Sequence, residues 1–208
     1  MAKEDGVERG FIGKDAIRDD ALERWILQFK ETFLDVAAAA ADSVRNDEDL
    51  SATIPITCTI DAQPDVPRTI SWVITHTAIT ALTLVIVGVN AKGETVTETF
   101  TAGGAVWSGE TSNAYATITS ITVSARTGAG TGNVLDVGCG SKLGLANQLQ
   151  GASSVYKVTK NKADYPAASY TVDATYDTVD VSTGAAIVAD DDFAISYRRC
   201  LDSCDAIA

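Results

Sequence analysis

Residues 81–90, ALTLVIVGVN, and residues 94–101, ETVTETFT, are the stretch from which the fold can be inferred. Apolar and small polar side chains alternate along both segments, which is the pattern of a strand with one buried face. The residues NAKG at positions 90–93 separate the two segments and provide a glycine for a turn with positive φ. We therefore predict a β-hairpin over residues 81–101.

Further strands are predicted on both sides of this hairpin. Segments rich in Thr, Val and Ile are separated by clusters of Gly, Pro, Asn and Asp. They cover residues 53–60, 69–77, 105–108, 114–125, 134–137, 153–160, 169–173, 178–181 and 193–198. The gaps up to residue 137 are too short for a crossover helix, so antiparallel pairing is favoured. The sequence predicts a mainly β protein, an antiparallel β-sandwich of jelly-roll or immunoglobulin-like type.

One long N-terminal α-helix is predicted ahead of the strands. Apolar residues recur every three or four positions between residues 15 and 44, which is the pattern of an amphipathic helix. The apolar stripe includes Trp25, Ile26, Phe29 and Phe33, and large side chains of this kind are typical of interface anchors. Two alternatives stay open: the stripe packs on its own β domain, or it docks as an arm on a neighbouring subunit.

The predicted organisation has three parts. Residues 1–48 form the helical arm, residues 49–150 form the β-sandwich domain, and residues 151–208 form a C-terminal β segment with a cysteine-containing tail. The C-terminal segment either completes the sandwich or forms a small second β layer.

The charge balance excludes several classes of partner. The 208 residues include 16 basic and 28 acidic side chains, which gives a net charge of −12. Such a charge repels polyanions, so neither nucleic acid nor an anionic membrane is an expected partner. Residues 51–150 carry only four basic and six acidic side chains, and low charge is typical of subunit interfaces. We find no signal peptide and no membrane-spanning stretch, so synthesis in a cytosol is expected.

The four cysteines match neither a zinc site nor a disulfide-rich scaffold. Cys58 and Cys139 lie in predicted strands, where we expect small buried thiols. Cys200 and Cys204 lie in the C-terminal tail, where they form a disulfide or an intersubunit bridge or remain free thiols. Their spacing does not choose between these alternatives.

Other residues that could bind metals or catalyse reactions are few. The single histidine, His76, has no neighbouring ligand in the sequence, so neither a metal site nor histidine-dependent catalysis is expected there. The acidic run at residues 190–192 is predicted to be a solvated loop, with calcium binding as the alternative. We expect no catalytic residue, no cofactor and no metal.

Residues 133–141, NVLDVGCGS, are similar to the first motif of methyltransferases that use S-adenosylmethionine. In that motif a strand ends in an acidic residue, and a glycine-rich loop lets the backbone approach the cofactor. Lys142 stands where the third glycine would fall, and the residues that follow alternate with period two instead of forming βα units. A methyltransferase is therefore kept only as a remote alternative.

A second resemblance covers more of the chain. The order GVN at 88–90, TETF at 97–100, ATITSITV at 116–123 and DVGCGSKLGL at 136–145 resembles the β-rich structural proteins of tailed-bacteriophage virions. In this pattern Lys142 is an expected residue.

The resemblance implies a non-enzymatic virion component on the particle exterior, first of all a capsid decoration or cement protein that bridges shell subunits. A head–tail connector, a tail component or a fibre with an adhesion role is also compatible with it. The implied partners are the major capsid protein or other virion proteins, together with further copies of the chain, for instance in a trimer.

Overall fold

The computed structural model describes residues 16–19 and 24–200 of the chain. About 60% of the chain lies in strands. In chain order these are β1 (Ala16–Asp19), β2 (Arg24–Val36), β3 (Ala40–Asp49), β4 (Ile56–Thr57), β5 (Arg68–Thr75), β6 (Ile79–Asn90), β7 (Thr95–Gly103), β8 (Ser108–Glu110), β9 (Tyr115–Gly128), β10 (Val134–Gly144), β11 (Val155–Lys160), β12 (Ala163–Tyr165), β13 (Thr171–Asp173), β14 (Thr178–Asp180) and β15 (Asp191–Cys200). Two single 3₁₀ turns, Ala152–Ser154 and Ala167–Ser169, are the helical residues in these ranges. No helix in the described ranges is long and apolar enough to cross a membrane.

The strands form two antiparallel sheets. The smaller sheet has five strands in the order β1-β2-β15-β11-β12. The larger sheet has ten strands and curves into a half-barrel. Its main path is β13-β14-β10-β5-β9-β6-β7, while β3, β4 and β8 pair with β10, β9 and β5. The C-terminal segment therefore contributes strands to both sheets, and it completes the smaller sheet together with β1 and β2.

The predicted hairpin is confirmed as β6 and β7, which pair as antiparallel neighbours. At the turn, the side-chain oxygen of Asn90 accepts hydrogen bonds from the backbone N–H groups of Lys92 (3.0 Å) and Glu94 (2.9 Å). Gly93 adopts a φ of +82°, a conformation that favours glycine. The other edge of β6 pairs with β9, so β6 is the central strand of this group.

The predicted N-terminal α-helix is wrong, and the fold class that included it is incorrect. Residues 24–36 form β2, which pairs with β15, and residues 40–49 form β3, which pairs with β10. The spacing misled because Trp25, Phe29 and Phe33 lie four residues apart. That separation places residues on one side of a helix and equally on one face of a strand. The aromatic and β-branched content of the segment favours the strand.

The end of β2 carries the chain from the smaller sheet to the larger one. Asp35 has a φ of +52°, and the pairing of β2 with β15 shifts its register close to this residue. The shift brings Val36, which is fully buried, into the same core as Phe33. The short alanine segment at residues 37–39 then leads into β3.

Two hydrophobic cores correspond to the two sheets. The first core is formed mainly by β3, β5, β6, β9 and β10, and its fully buried members include Val44, Ile70, Leu84, Ile86, Ile121, Val123, Leu135 and Val137. The second core is formed by β2, β11, β14, β15 and the end of β10, and it includes Phe33, Val36, Leu143, Val158, Val179, Phe193, Ile195 and Tyr197. Burial of each large apolar side chain contributes about 1.5–3 kcal/mol. Because β10 contributes to both cores, the sheets are held together along this strand.

A buried arginine lies where the two cores meet. Arg68, at the start of β5, is 0% exposed and pairs with both β9 and β10. Its guanidinium donates hydrogen bonds to the carbonyl oxygens of Gly140 (2.8 Å) and Ala37 (2.9 Å), and to the carboxylate of Asp65 (3.1 Å). A buried charge is tolerated only when it is paired and hydrogen-bonded in this way. Through these hydrogen bonds Arg68 connects β10, the link between β2 and β3, and the loop before β5.

We predict that Arg68→Lys lowers the free energy of unfolding by about 3 kcal/mol. An ammonium group keeps the charge, but its single nitrogen lacks the planar fork with which the guanidinium donates to both carbonyls and the carboxylate. The exposed control Arg198→Lys should change it by less than about 0.5 kcal/mol. Urea unfolding followed by tryptophan fluorescence measures both variants. Equal effects of the two substitutions would show that the guanidinium contacts are not essential.

Candidate functional site

Side chains alternate along β2, so the predicted interaction residues are divided between its two faces. Phe33 is 4% exposed in the second core, and Phe29 packs against that core and stacks on Tyr197 with ring centroids 5.4 Å apart. Ile26 is half-buried on the opposite face. Trp25 lies near the start of β2, and its side chain is outside the described residues. Phe29 and Phe33 therefore stabilise the chain's own fold, and the opposite face of β2 is the one open to a partner.

A groove of about 490 Å³ lies on that opposite face of the smaller sheet. β2, β15 and β11 form its floor, on the side of the sheet away from the second core. Its polar and charged lining consists of Lys30, Thr32, Lys157, Thr159, Lys162, Asp192 and Ser196. Leu34, which is 60% exposed, adds an apolar wall. The groove is thus mainly a site of hydrogen-bond donors, with some apolar surface at one side.

The strand register arranges the lining residues in rows. Ser196 of β15 pairs with Lys30 of β2 on one side and with Lys157 of β11 on the other. In the next row on this face, Ala194 of β15 pairs with Thr32 of β2 and with Thr159 of β11. The only sequence signal is the same pattern, lysine followed two residues later by threonine, in both flanking strands. The two lysines are 127 positions apart (157 minus 30), so only the strand pairing brings them together.

The groove is positively charged although the protein is acidic. Three lysines line it, and Asp192 is the one carboxylate among its lining residues. Lys157 also pairs with Asp164 at 2.8 Å, but both side chains are more than half exposed, so the pair contributes at most about 1 kcal/mol. Within the described part of the chain, no acidic side chain forms an ion pair with Lys30 or Lys162. This arrangement can bind anions through ammonium groups and hydroxyls.

A polar network holds β2 and β15 together beneath the groove. Glu31 accepts hydrogen bonds from the Tyr197 hydroxyl and from the backbone N–H of Ala146 (2.9 Å), and the Asn147 amide donates to Tyr197 (3.0 Å). Burial raises the pKa of Glu31, and the two hydrogen bonds partly oppose this shift. Burial, followed by the hydrogen bond to Glu31, raises the pKa of Tyr197. The network fixes the inner side of β2 and leaves the outer side free of these contacts.

The acidic run at residues 190–192, which leads into β15, is only partly the solvated loop that we predict. Asp190 is exposed, but Asp191 is 2% exposed and binds Lys160 (2.7 Å), the backbone N–H of Val188 (2.9 Å) and Asn161 (3.0 Å). Burial alone would raise the pKa of Asp191, but these hydrogen bonds lower it overall. Across the described residues, no group of three or more His, Cys, Asp or Glu side chains is placed to hold a metal ion.

The predicted buried thiols are confirmed, because Cys58 and Cys139 are both buried and free. Burial raises the pKa of Cys58 to about 12, so this thiol stays protonated at neutral pH. Cys200 is the last residue of β15. Its side chain and Cys204 lie outside the described residues, so their bridge stays a prediction.

His76 packs against an aromatic side chain. Its ring stacks on Trp107 with centroids 3.6 Å apart, and the Trp107 indole N–H donates to the carbonyl of Gly104 (2.9 Å). The stacking covers one face of the imidazole, and the indole hydrogen bond stabilises the turn after β7.

The residues that resemble the methyltransferase motif form part of a strand. β10 pairs with β3 on one edge and with β5 on the other, and the Asp136 carboxylate accepts a backbone hydrogen bond from β3. A Cβ at Gly138 would overlap the carbonyl of Ala40, and a Cβ at Gly140 would overlap the side chain of Glu110. Close packing of neighbouring groups therefore explains both glycines. This geometry differs from the loop and helix that the cofactor motif requires.

We predict that Gly138→Ala lowers the free energy of unfolding by at least about 3 kcal/mol, because the added methyl group must displace the backbone of β3. The matched control is Gly151→Ala, since Gly151 has an extended φ of 171° and open space at its Cβ position. It should change stability by less than about 1 kcal/mol. If Gly138→Ala instead kept full stability but abolished binding of S-adenosylmethionine, a cofactor role would replace the packing role.

We also predict a pH-dependent difference between the native chain and Glu31→Gln. Because folding raises the pKa of Glu31, the folded state favours its protonated form. Its contribution to stability is therefore present below the unfolded value of 4.5 and is lost as pH rises through the folded pKa. The stability of the native chain relative to Glu31→Gln should fall from about pH 4.5 upward, as measured by urea unfolding at a series of pH values. The Tyr197 hydroxyl donates a hydrogen bond that opposes the rise in the pKa of Glu31. The stability of Tyr197→Phe should therefore fall more than that of the native chain over this pH range. Parallel plots of stability against pH for all three proteins would contradict the prediction.

In comparisons with known proteins, no family model, no curated protein and no solved structure matches this chain.

Proposed function

We propose that the chain is a non-enzymatic structural protein of a tailed-phage virion, which decorates the shell and stabilises it by bridging subunits. The observation that carries the proposal is the resemblance of four ordered segments to virion proteins. These segments fall in β6, β7, β9 and across β10, extending one residue beyond it, and all four strands belong to the larger sheet. The similar residues thus belong to one folded body and are not scattered over the chain.

The properties of this body suit a role in a shell. Its core is formed by long paired strands, and residues 51–150 carry only ten charged side chains among one hundred positions. Such a body is rigid and can lie against other proteins with little charge desolvation. When many copies of the chain each bury surface against the shell, their contributions to the stability of the particle add up, and no chemical reaction is needed.

The expected partners are the major capsid protein or other virion proteins, and further copies of the same chain, for instance in a trimer. Besides the weakly charged larger sheet, the outer face of the smaller sheet is a second surface that we assign to such contacts. It carries the groove and the exposed side chain of Leu34, while the other face of that sheet is occupied by the second core.

Deletion of the gene from the phage that encodes the chain tests this proposal. We expect particles without the chain to assemble with joined tails, but to release their DNA at a lower temperature than native particles. Adding the purified chain back to these particles should restore the native release temperature, measured with a DNA-binding dye during heating. Mass spectrometry of native particles should find the chain as a component.

Other results would assign a different role. Unjoined heads and tails would indicate a connector or tail component, and heat-stable particles that fail to adsorb to cells would indicate a fibre. Absence of the chain from purified particles would refute a virion function altogether.

A further inference from the structure

The lysines of this protein are unevenly placed. The chain contains eight lysines, and three of them, Lys30, Lys157 and Lys162, line the groove on the outer face of the smaller sheet. The same face carries Arg198, which pairs with Gln28 next to the row that contains Lys30. A local excess of positive charge on a chain of net charge −12 is a specific feature of this surface.

The register gives the positive charges a defined geometry. Lys30 and Lys157 lie on the two strands that flank Ser196, so their Cα atoms are separated by two strand spacings, roughly 10 Å. Lysine side chains are long enough for both ammonium groups to reach one carboxylate placed above Ser196. The serine hydroxyl can donate a further hydrogen bond to that carboxylate.

The existing contacts do not prevent such binding. The pair between Lys157 and Asp164 is exposed, so exchange of Asp164 for an incoming carboxylate costs little. Asp192, at the other end of the groove, is held by the backbone N–H of Asp35 (3.1 Å) and leaves the central row to a ligand. Leu34 gives the groove an apolar wall that the side chains of a polypeptide can cover.

The net charge of the whole chain favours a short acidic polypeptide over a nucleic acid as the anionic partner of the groove. A nucleic acid carries a dense and extended negative charge, which the field of a −12 protein repels beyond the reach of three lysines. A short acidic stretch of polypeptide presents only a few charges and can place them all within the groove. We propose that the groove binds an acidic, carboxylate-bearing segment of a neighbouring protein subunit; this proposal rests on the structural role proposed above and names the chemistry of its partner.

Titration of the ¹⁵N-labelled full chain with a glutamate peptide of about ten residues, followed by NMR, tests the proposal. We expect the largest amide shifts in the strand residues that form the groove, around Lys30, Lys157 and Ser196. The shifts should diminish with added salt, because the charges are exposed to solvent. A glutamine peptide of the same length should produce no such shifts.

Two double variants of equal charge change locate the site. Lys30→Gln/Lys157→Gln should weaken binding of the glutamate peptide at least about fivefold. The control Arg126→Gln/Lys142→Gln removes two positive charges from the larger sheet and should change the affinity less than twofold. Circular dichroism of both variants confirms that they are folded.

Three results would overturn the proposal: shifts of equal size outside the groove, equal weakening by both double variants, or tighter binding of an oligothymidylate than of the glutamate peptide. These outcomes are independent of the heating experiment on particles. A chain that stabilises particles but binds no acidic peptide would retain its structural role and lose this docking site.

Discussion

The buried guanidinium of Arg68 is the constraint on which the rest of the structure depends. Two sheets meet at this point, and the carbonyl group of Gly140, which Arg68 binds there, is buried. A buried carbonyl without a hydrogen-bond donor would cost about 1–3 kcal/mol. One planar cation supplies several of the missing donors at once, and Asp65 balances its charge. The link between β2 and β3 can therefore cross from one sheet to the other without leaving the backbone unsatisfied.

The sequence predicts the larger sheet better than the smaller one, for physical reasons. Around β6 the alternation is regular, the turn carries its own asparagine and glycine, and the pairing partners are close in sequence. In β2 the large side chains lie four apart, a spacing that helix and strand share. The strand is chosen by its pairing with β15, more than 150 positions later, as shown by Phe29 opposite Tyr197. Such a contact leaves no local signal.

The candidate site could not be predicted for the same reason. No short motif contains Lys30, Lys157 and Lys162, and they share a groove only because β15 lies between β2 and β11. In β10 the reverse holds, because a conspicuous local motif is present but has a packing role. Glycine permits a close approach of any group, and in β10 that group is the backbone of β3 next to Gly138, not a cofactor. Local sequence shows that space is needed but does not show what fills it.

The order of strands in the smaller sheet also determines when the groove can form during synthesis. β2 is synthesised before its partner β15, and more than 150 residues separate the two strands. Strands β5 to β10 of the larger sheet are synthesised before β15, and their pairing partners lie closer together in the sequence. The positively charged surface therefore forms only after β15 has been synthesised, so a nascent chain that has not reached β15 cannot compete for its binding partner.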